Sequence, residues 1–380
     1  MRLFILFVFV AYGGAHVYTF LHARSALSFG PATGMALTVF MALMVFAVFL
    51  IRTLEHYDYD IPARMLAYVA YLWMAVLFLF FCGSLVFDMV GLVIRASGWM
   101  TRSDVSAYLL PVRTLFLVSV VLSVCICMYG YFEARSIGVE RLMITTAKLP
   151  AGMERLTIVQ ISDVHLGLII RSDRLKKMLE IVKASKPDIF LSTGDLVDAQ
   201  INHLPGLAEL LRGVKTKYGN YAITGNHEYF AGIDTALAFT REAGFTVLQN
   251  EAIPVGPITL AGVDDRTAVL MNLEKPISEK KLLAALPRDR FTLFLKHQPS
   301  IDRSTIGLFD LQLSGHTHKG QIFPFSLLSR IFFPLNAGNY ALGGASLLHV
   351  SRGTGTWGPP IRFLSPPEVT VIVLERKNAT

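Results

Sequence analysis

The sequence predicts an α/β domain preceded by a bundle of about four membrane-spanning helices. Three observations predict it. Only 17% of residues are charged and mean hydropathy is +0.50, too apolar for an ordinary soluble chain. The apolar excess lies before Glu133. After that residue, short β-rich runs alternate with amphipathic segments, the mark of strands and helices layered in one domain.

In chain order, Leu3–Leu21, Gly34–Ile51, Leu66–Phe87 and Thr114–Phe132 are uncharged apolar runs of about 18–22 residues, each long enough to cross a hydrocarbon core as a helix. Leu3–Leu21 has a cleaved signal as its alternative reading. Its length, and the single Arg2 before it, favour an anchor. With the N-terminus inside, Arg2, Arg52, Arg64, Arg135, Arg141 and Lys148 face the cytoplasm, against Arg24, Arg95, Arg102 and Arg113 outside. This predicts a multi-pass protein of the cytoplasmic (inner) membrane with a cytoplasmic C-terminal domain. Cys82, Cys125 and Cys127 all fall in the apolar runs, which leaves the polar part without disulfides or thiol chemistry. Asp88 reads as a charge just past the end of the third helix, not as part of an ion pathway. The expected division is a membrane region at residues 1–132, a linker at 133–150 and a folded domain at 151–380.

Within that domain, Leu156–Ile161 is a strand that ends in Ser162-Asp163-Val164-His165. A helix follows, with Ser172 as its N-cap, Asp173 in its first turn and Leu175, Met178, Leu179 and Val182 as its buried stripe. Arg171, Arg174, Lys176 and Lys177 crowd its start, as a solvated face or as a phosphate contact. Asp188–Thr193 breaks at Gly194-Asp195-Leu196-Val197-Asp198, and Tyr221–Thr224 at Gly225-Asn226-His227-Glu228. Phe291–Leu295 breaks at Lys296-His297, and Asp310–Leu313 runs into Gly315-His316-Thr317-His318. A period of two places Asp163 with His165, and His316 with His318, on one side of an extended backbone. Five of the ten histidines thus sit at strand ends beside carboxylates. Strand-edge loops are where an α/β scaffold assembles its sites.

The ordered series Asp163-x-His165, Gly194-Asp195-x-x-Asp198, Gly225-Asn226-His227-Glu228, His297 and Gly315-His316-x-His318 resembles the calcineurin-like metallophosphoesterase superfamily from Leu156 to Gln321. The tail, with Val263-Asp264-Asp265 and Gly358–Phe363, is similar to its bacterial membrane-associated branch. The resemblance implies a metallophosphoesterase-type α-β-β-α sandwich and a dinuclear centre. Asp163, His165 and His318 would hold one ion, Asn226, His297 and His316 the other, with Asp195 bridging. An oxygen and imidazole donor set without thiolate suits Mn, Fe, Zn or Co. Two ions about 3.5–4 Å apart can share a hydroxide that attacks phosphorus in line. His227 is implied to protonate the leaving oxygen. Asp198 either orients an imidazole or caps its turn.

Three functions fit. The first is a membrane-anchored hydrolase of a phosphoester or pyrophosphate in a lipid-linked or amphiphilic molecule, such as a UDP-diacylglucosamine-like substrate. The second is a tethered phosphoesterase acting on a soluble nucleotide or phosphoprotein. The third is a non-catalytic binding module of the same fold. No GxxxxGK loop occurs, and no nucleic-acid partner is expected. The phenylalanine-rich stretch Ile322–Pro334, with its lone Arg330, reads as an interfacial segment or as a cover folded onto the protein.

Overall fold

The computed structural model describes residues 2–198, 206–273 and 275–377. The chain falls into two units, one of residues 1–131 with 358–361 and one of residues 132–357 with 362 onward.

The first unit is helical: α1 (Arg2–Leu27), α2 (Pro31–His56), α3 (Asp60–Thr101) and α4 (Val112–Glu133). Pro31 opens α2, where its missing N–H removes nothing the helix needs. Among the described residues, α2, α3 and the stretch Ser106–Glu133 that ends in α4 are long and apolar enough to cross a membrane. α1 carries the first predicted run. α3 outruns its apolar stretch: its 42 residues span about 63 Å at 1.5 Å per residue. Asp88 is therefore inside a helix and not past the end of one. It accepts a hydrogen bond from the Tyr18 hydroxyl and lies 3.2 Å from His22 Nε2. Trp73 Nε1 donates to His16 Nε2 at 2.9 Å, and His16 Nδ1 donates to the Tyr12 carbonyl at 2.8 Å, so this buried imidazole is satisfied from both sides.

The second unit is a sandwich of two six-stranded sheets. It begins with β1 (Gly138–Thr146), β2 (Arg155–Ile161), α5 (Ser172–Ala184) and β3 (Ile189–Ser192). Next come α6 (Leu207–Arg212), β4 (Asn220–Ala222), α7 (Asn226–Ala231), α8 (Ile233–Glu242) and β5 (Thr246–Val247). The second sheet draws on β6 (Glu251–Val255), β7 (Ile258–Gly262), α9 (Thr267–Leu270), α10 (Glu279–Ala284), β8 (Phe291–Leu295) and β9 (Leu311–Ser314). The chain closes with α11 (Phe325–Phe332), β10 (Gly338–Gly343), β11 (Ser346–Val350) and β12 (Glu368–Arg376). Strand order is β1-β12-β2-β3-β4-β5 in one sheet and β10-β11-β9-β8-β7-β6 in the other.

The core lies between the sheets. Leu156, Ile158, Ile189, Leu191, Ile372 and Leu374 of the first meet Ile258, Leu260, Leu293, Leu295, Leu311 and Leu313 of the second. The outer faces are also dry. Leu283 of α10 covers Phe294 and Ala261, while Leu175, Met178, Leu179 and Val182 form the buried stripe of α5. Burial on both faces is why these strands read as unbroken apolar runs.

Two expectations change here. Residues 133–150, read as a linker, contain β1, which pairs in parallel with β12. Arg171, not Ser172, is the N-cap of α5, and it makes no side-chain capping bond. β2, β3 and β4 run parallel, as do β7, β8 and β9. The loops after β2, β3, β4, β8 and β9 therefore leave from carboxyl ends and converge.

Candidate metal centre

The loops after β2, β3 and β9 turn sharply as soon as their strands end. Asp163, His165 and Asp195 have φ of 53°, 54° and 51°, and His316 and His318 have 71° and 47°. Left-handed non-glycine residues cost about 1–3 kcal/mol each and cluster where a site demands them. The expected extended alternation is therefore absent. Asp163 and His165 still meet, but through a turn. His316 and His318 separate into different clusters.

The first cluster is Asp163, His165 and His318, and the second is Asp195, His297 and His316. His165 Nε2 and His318 Nε2 face each other at 3.0 Å, and His318 Nε2 lies 3.6 Å from Asp163 Oδ1. Asp195 Oδ2 reaches towards both clusters, 3.2 Å from His297 Nε2 and 3.9 Å from His165 Nε2. Two glycines permit this approach. A Cβ on Gly225 would strike Asp195 Oδ1, and one on Gly315 would strike Ser162 Oγ and Asp163 Oδ2. Asp163 itself is fixed by the backbone N–H of His316, at 2.8 Å, and by the Ser162 hydroxyl.

Burial sets the protonation of these groups. It pushes His165 down to about 4 and His316 to about 3, helped by neighbouring imidazoles. His318 is held well below the usual histidine range by burial and by the Arg362 guanidinium. All three are therefore neutral, the state in which imidazole binds a metal. Asp195 is held well below the ordinary carboxyl range, because His297 and His227 outweigh its burial. His297 is raised well above its ordinary value by Asp195, again against burial. Two buried ligand atoms, Asn226 Oδ1 and His316 Nδ1, make no hydrogen bond. Leaving such atoms unsatisfied costs about 1–3 kcal/mol each. A divalent cation is the partner that this chemistry fits.

His227 belongs to neither of those two clusters, though with His165 and Asp195 it forms a third group whose atoms could hold an ion. His227 Nδ1 pairs with Asp198 Oδ1 at 2.9 Å, the imidazole contact that one of the two readings of Asp198 expects. Burial would lower this imidazole, but Asp195 and Asp198 outweigh it and push it up to about 9. The rings of Phe230 and Trp357 stand edge-on to it, with centroids at 5.5 and 6.0 Å. Phe333 does the same to His316 at 4.9 Å. The surroundings of the two histidines are thus aromatic.

Two supporting residues were not legible as such. Glu228 accepts from the backbone N–H groups of Gly225, Asp195 and Leu196 at 2.6, 3.0 and 2.8 Å, and so locks the β3 and β4 loops together. Its position in Gly-Asn-His-Glu was visible, but nothing showed that it faced backbone. Arg362 is fully buried. It donates to the carbonyls of Arg352 and Gly355 at 2.6 and 2.9 Å and to His318 Nδ1 at 3.0 Å. Its only signal was membership of the tail segment. Of the basic cluster at α5, Arg174 is structural, donating to the Ala134 carbonyl and Thr356 Oγ1 at 2.8 and 3.1 Å.

This fold and these clusters define a structural class, a two-sheet α/β sandwich whose strand-end loops gather His and Asp groups that could hold metal. Residues 156–320 match the family model described as calcineurin-like phosphoesterase. A metallophosphoesterase of Aquifex aeolicus is 38% identical over 253 residues, covering 66% of this chain and 96% of the relative. One from Campylobacter jejuni is 30% identical over 341 residues, 87% of each chain. A Danio rerio relative, a transmembrane protein with metallophosphoesterase domain, is 30% identical over 275 residues, 68% of this chain and 62% of that one. A solved 5'-nucleotidase precursor from Thermus thermophilus is similar over 58% of this chain and 54% of its own, at 16% identity and TM-score 0.37. The chain belongs to the calcineurin-like metallophosphoesterase family, enzymes that hydrolyse phosphoester bonds.

Proposed function

We propose that this chain is a membrane-anchored, dinuclear-metal phosphohydrolase. Asp163, His165 and His318 would hold one divalent ion, Asn226, His297 and His316 the other, and Asp195 would serve both. The observation that supports it best is the pair of orphaned ligand atoms, Asn226 Oδ1 and His316 Nδ1. Left unpaired, the two would cost the fold about 2–6 kcal/mol, a large share of the stability of a whole domain.

Divalent ions bound at these residues would activate water as the nucleophile at neutral pH and would neutralise charge developing on phosphorus. The protein supplies the proton. Asp198 accepts from His227 Nδ1, which leaves Nε2 as the nitrogen that meets the substrate. As the bond from phosphorus to the leaving oxygen breaks, the His227 imidazolium donates its Nε2 proton to that oxygen. Water is the nucleophile, so no serine or cysteine is required. His227→Ala is expected to lower kcat by about 10²–10⁴ with metal content unchanged. The loss should shrink for a nitrophenyl leaving group, which departs without a proton. Equal losses for both leaving groups, or loss of metal, would overturn the assignment.

For the substrate we infer a lipid-linked or amphiphilic phosphoester, handled at the cytoplasmic face of the membrane, with α1 as a fourth span in a membrane region of residues 1–132. Support comes from the aromatic surroundings of His227 and His316 and from the basic residues between the apolar runs. A panel of nucleotide-linked lipids, phospholipids and an aryl phosphodiester, run on detergent-solubilised protein with Mn²⁺, tests it. Turnover of the water-soluble diester alone would sink the lipid reading.

A further inference from the structure

Large apolar side chains seldom gather on one exposed face without a partner. On α11, Leu327, Leu328, Ile331 and Phe332 are exposed, the last two by 73% and 71%. Spacings of one and four residues place these four on one side of a helix. Ser329, on the opposite side, is the residue of α11 that is buried. The helix is firmly seated. It packs against the turn that carries His318, and Phe323 N, just ahead of it, bonds the Phe363 carbonyl at 3.1 Å. Phe323 and Phe325 extend the exposed apolar surface at its start.

We propose that the exposed face of α11 docks on the surface of a lipid bilayer carrying anionic headgroups. Three observations favour that occupant. The chain brings its own membrane helices, and residues 134–137 are all that separates α4 from β1. No aspartate or glutamate occurs between Asp310 and Glu368, a stretch that carries Lys319 and Arg330, so the helix itself brings no acidic side chain to an anionic surface. Arg330 is exposed and flanks the apolar face, as interfacial helices place their cations. A tethered helix also pays little association entropy, so partial insertion of four side chains is enough. Docking sets the turn of His318 beside the headgroup plane. The catalytic consequence rests on the proposed function, but the docking does not.

The test is depth measurement by nitroxide accessibility in the full-length chain, with Cys82, Cys125 and Cys127 replaced by alanine. The protein is placed in nanodiscs of phosphatidylethanolamine and phosphatidylglycerol. One label replaces Ile331 (Ile331→Cys). A reference label replaces exposed Lys176 on α5 (Lys176→Cys). The expected result is a label at 331 that collides with oxygen in preference to a water-soluble nickel chelate, and the reverse at 176. Aryl phosphodiester turnover equal to the unlabelled chain shows that both variants are folded. A label at 331 as accessible to nickel as the one at 176 would overturn docking. So would protection from both reagents, which means cover by protein, or dipolar broadening that grows with protein loading, which means a second copy. A label in lipid on a protein that cleaves no lipid-linked phosphoester would leave the docking in place and remove the substrate reading.

Discussion

At the level of single residues, the centre is built by atoms that are missing as much as by those present. Gly315 lets Asp163 and Ser162 lie against the β9 loop, where a methyl group has no room. Gly315→Ala is expected to displace Asp163 and weaken metal binding at the Asp163–His165–His318 cluster, leaving roughly one ion per chain by elemental analysis. Two ions per chain in a folded variant would refute this. Glu228 acts through charge and geometry together. Gln at that position keeps the shape but turns an amide NH₂ towards backbone N–H donors. Glu228→Gln should cost about 2–3 kcal/mol, read from the shift in unfolding midpoint. The donors themselves were legible because carboxylates and imidazoles recurred at strand ends in a fixed order. Their conformations were not. A period-two argument assumes extended backbone, and the residues at these positions adopt left-handed turns instead.

At the level of elements, β2, β3, β8 and β9 were legible as apolar runs and the stripe of α5 as helical periodicity. β1 was missed because its burial alternates between exposed and intermediate positions, so it reads as a polar stretch. Its partner β12 lies far along the chain, and no local pattern announces that pairing. β12 is anchored at its start by Glu368, whose Oε2 meets Arg352 Nη2 at 2.6 Å. Burial alone would raise this carboxyl, but His349 and Arg352 hold it below the ordinary glutamate value of 4.5. With the folded pKa below the unfolded one, its stabilisation is complete above about pH 4.5 and disappears as pH falls through the folded value. Thermal melts across the acid range should therefore show a steeper loss of stability for the native chain than for Glu368→Gln. Parallel curves would remove Glu368 from the acid response.

For the whole molecule, the division into an apolar helical part and an α/β sandwich was legible from composition. The sheet order was not, since neighbours such as β11 and β9 pair across an intervening helix and strand. Binding at buried donors must also be felt by the entire domain. Chelation is expected to lower the unfolding temperature and Mn²⁺ to restore it, by about 2.7 kcal/mol at a hundredfold excess over Kd. Asp195→Asn should flatten that response, because one carboxylate faces both clusters. An unfolding temperature indifferent to chelator and metal would contradict the whole centre.

The place of β12 between β1 and β2 has a consequence for biosynthesis. A ribosome delivers β1 and β2 early and the strand that joins them late. The gap between them stays open while the rest of the domain is being made, exposing unpaired backbone on two edges. The Arg352–Ser365 loop that cradles His318 arrives just ahead of it. Helices α2 to α4 leave the ribosome long before, so the nascent domain waits at the membrane with an incomplete sheet. The loop against His318 and the strand that closes the first sheet are thus the last of the described elements to be placed.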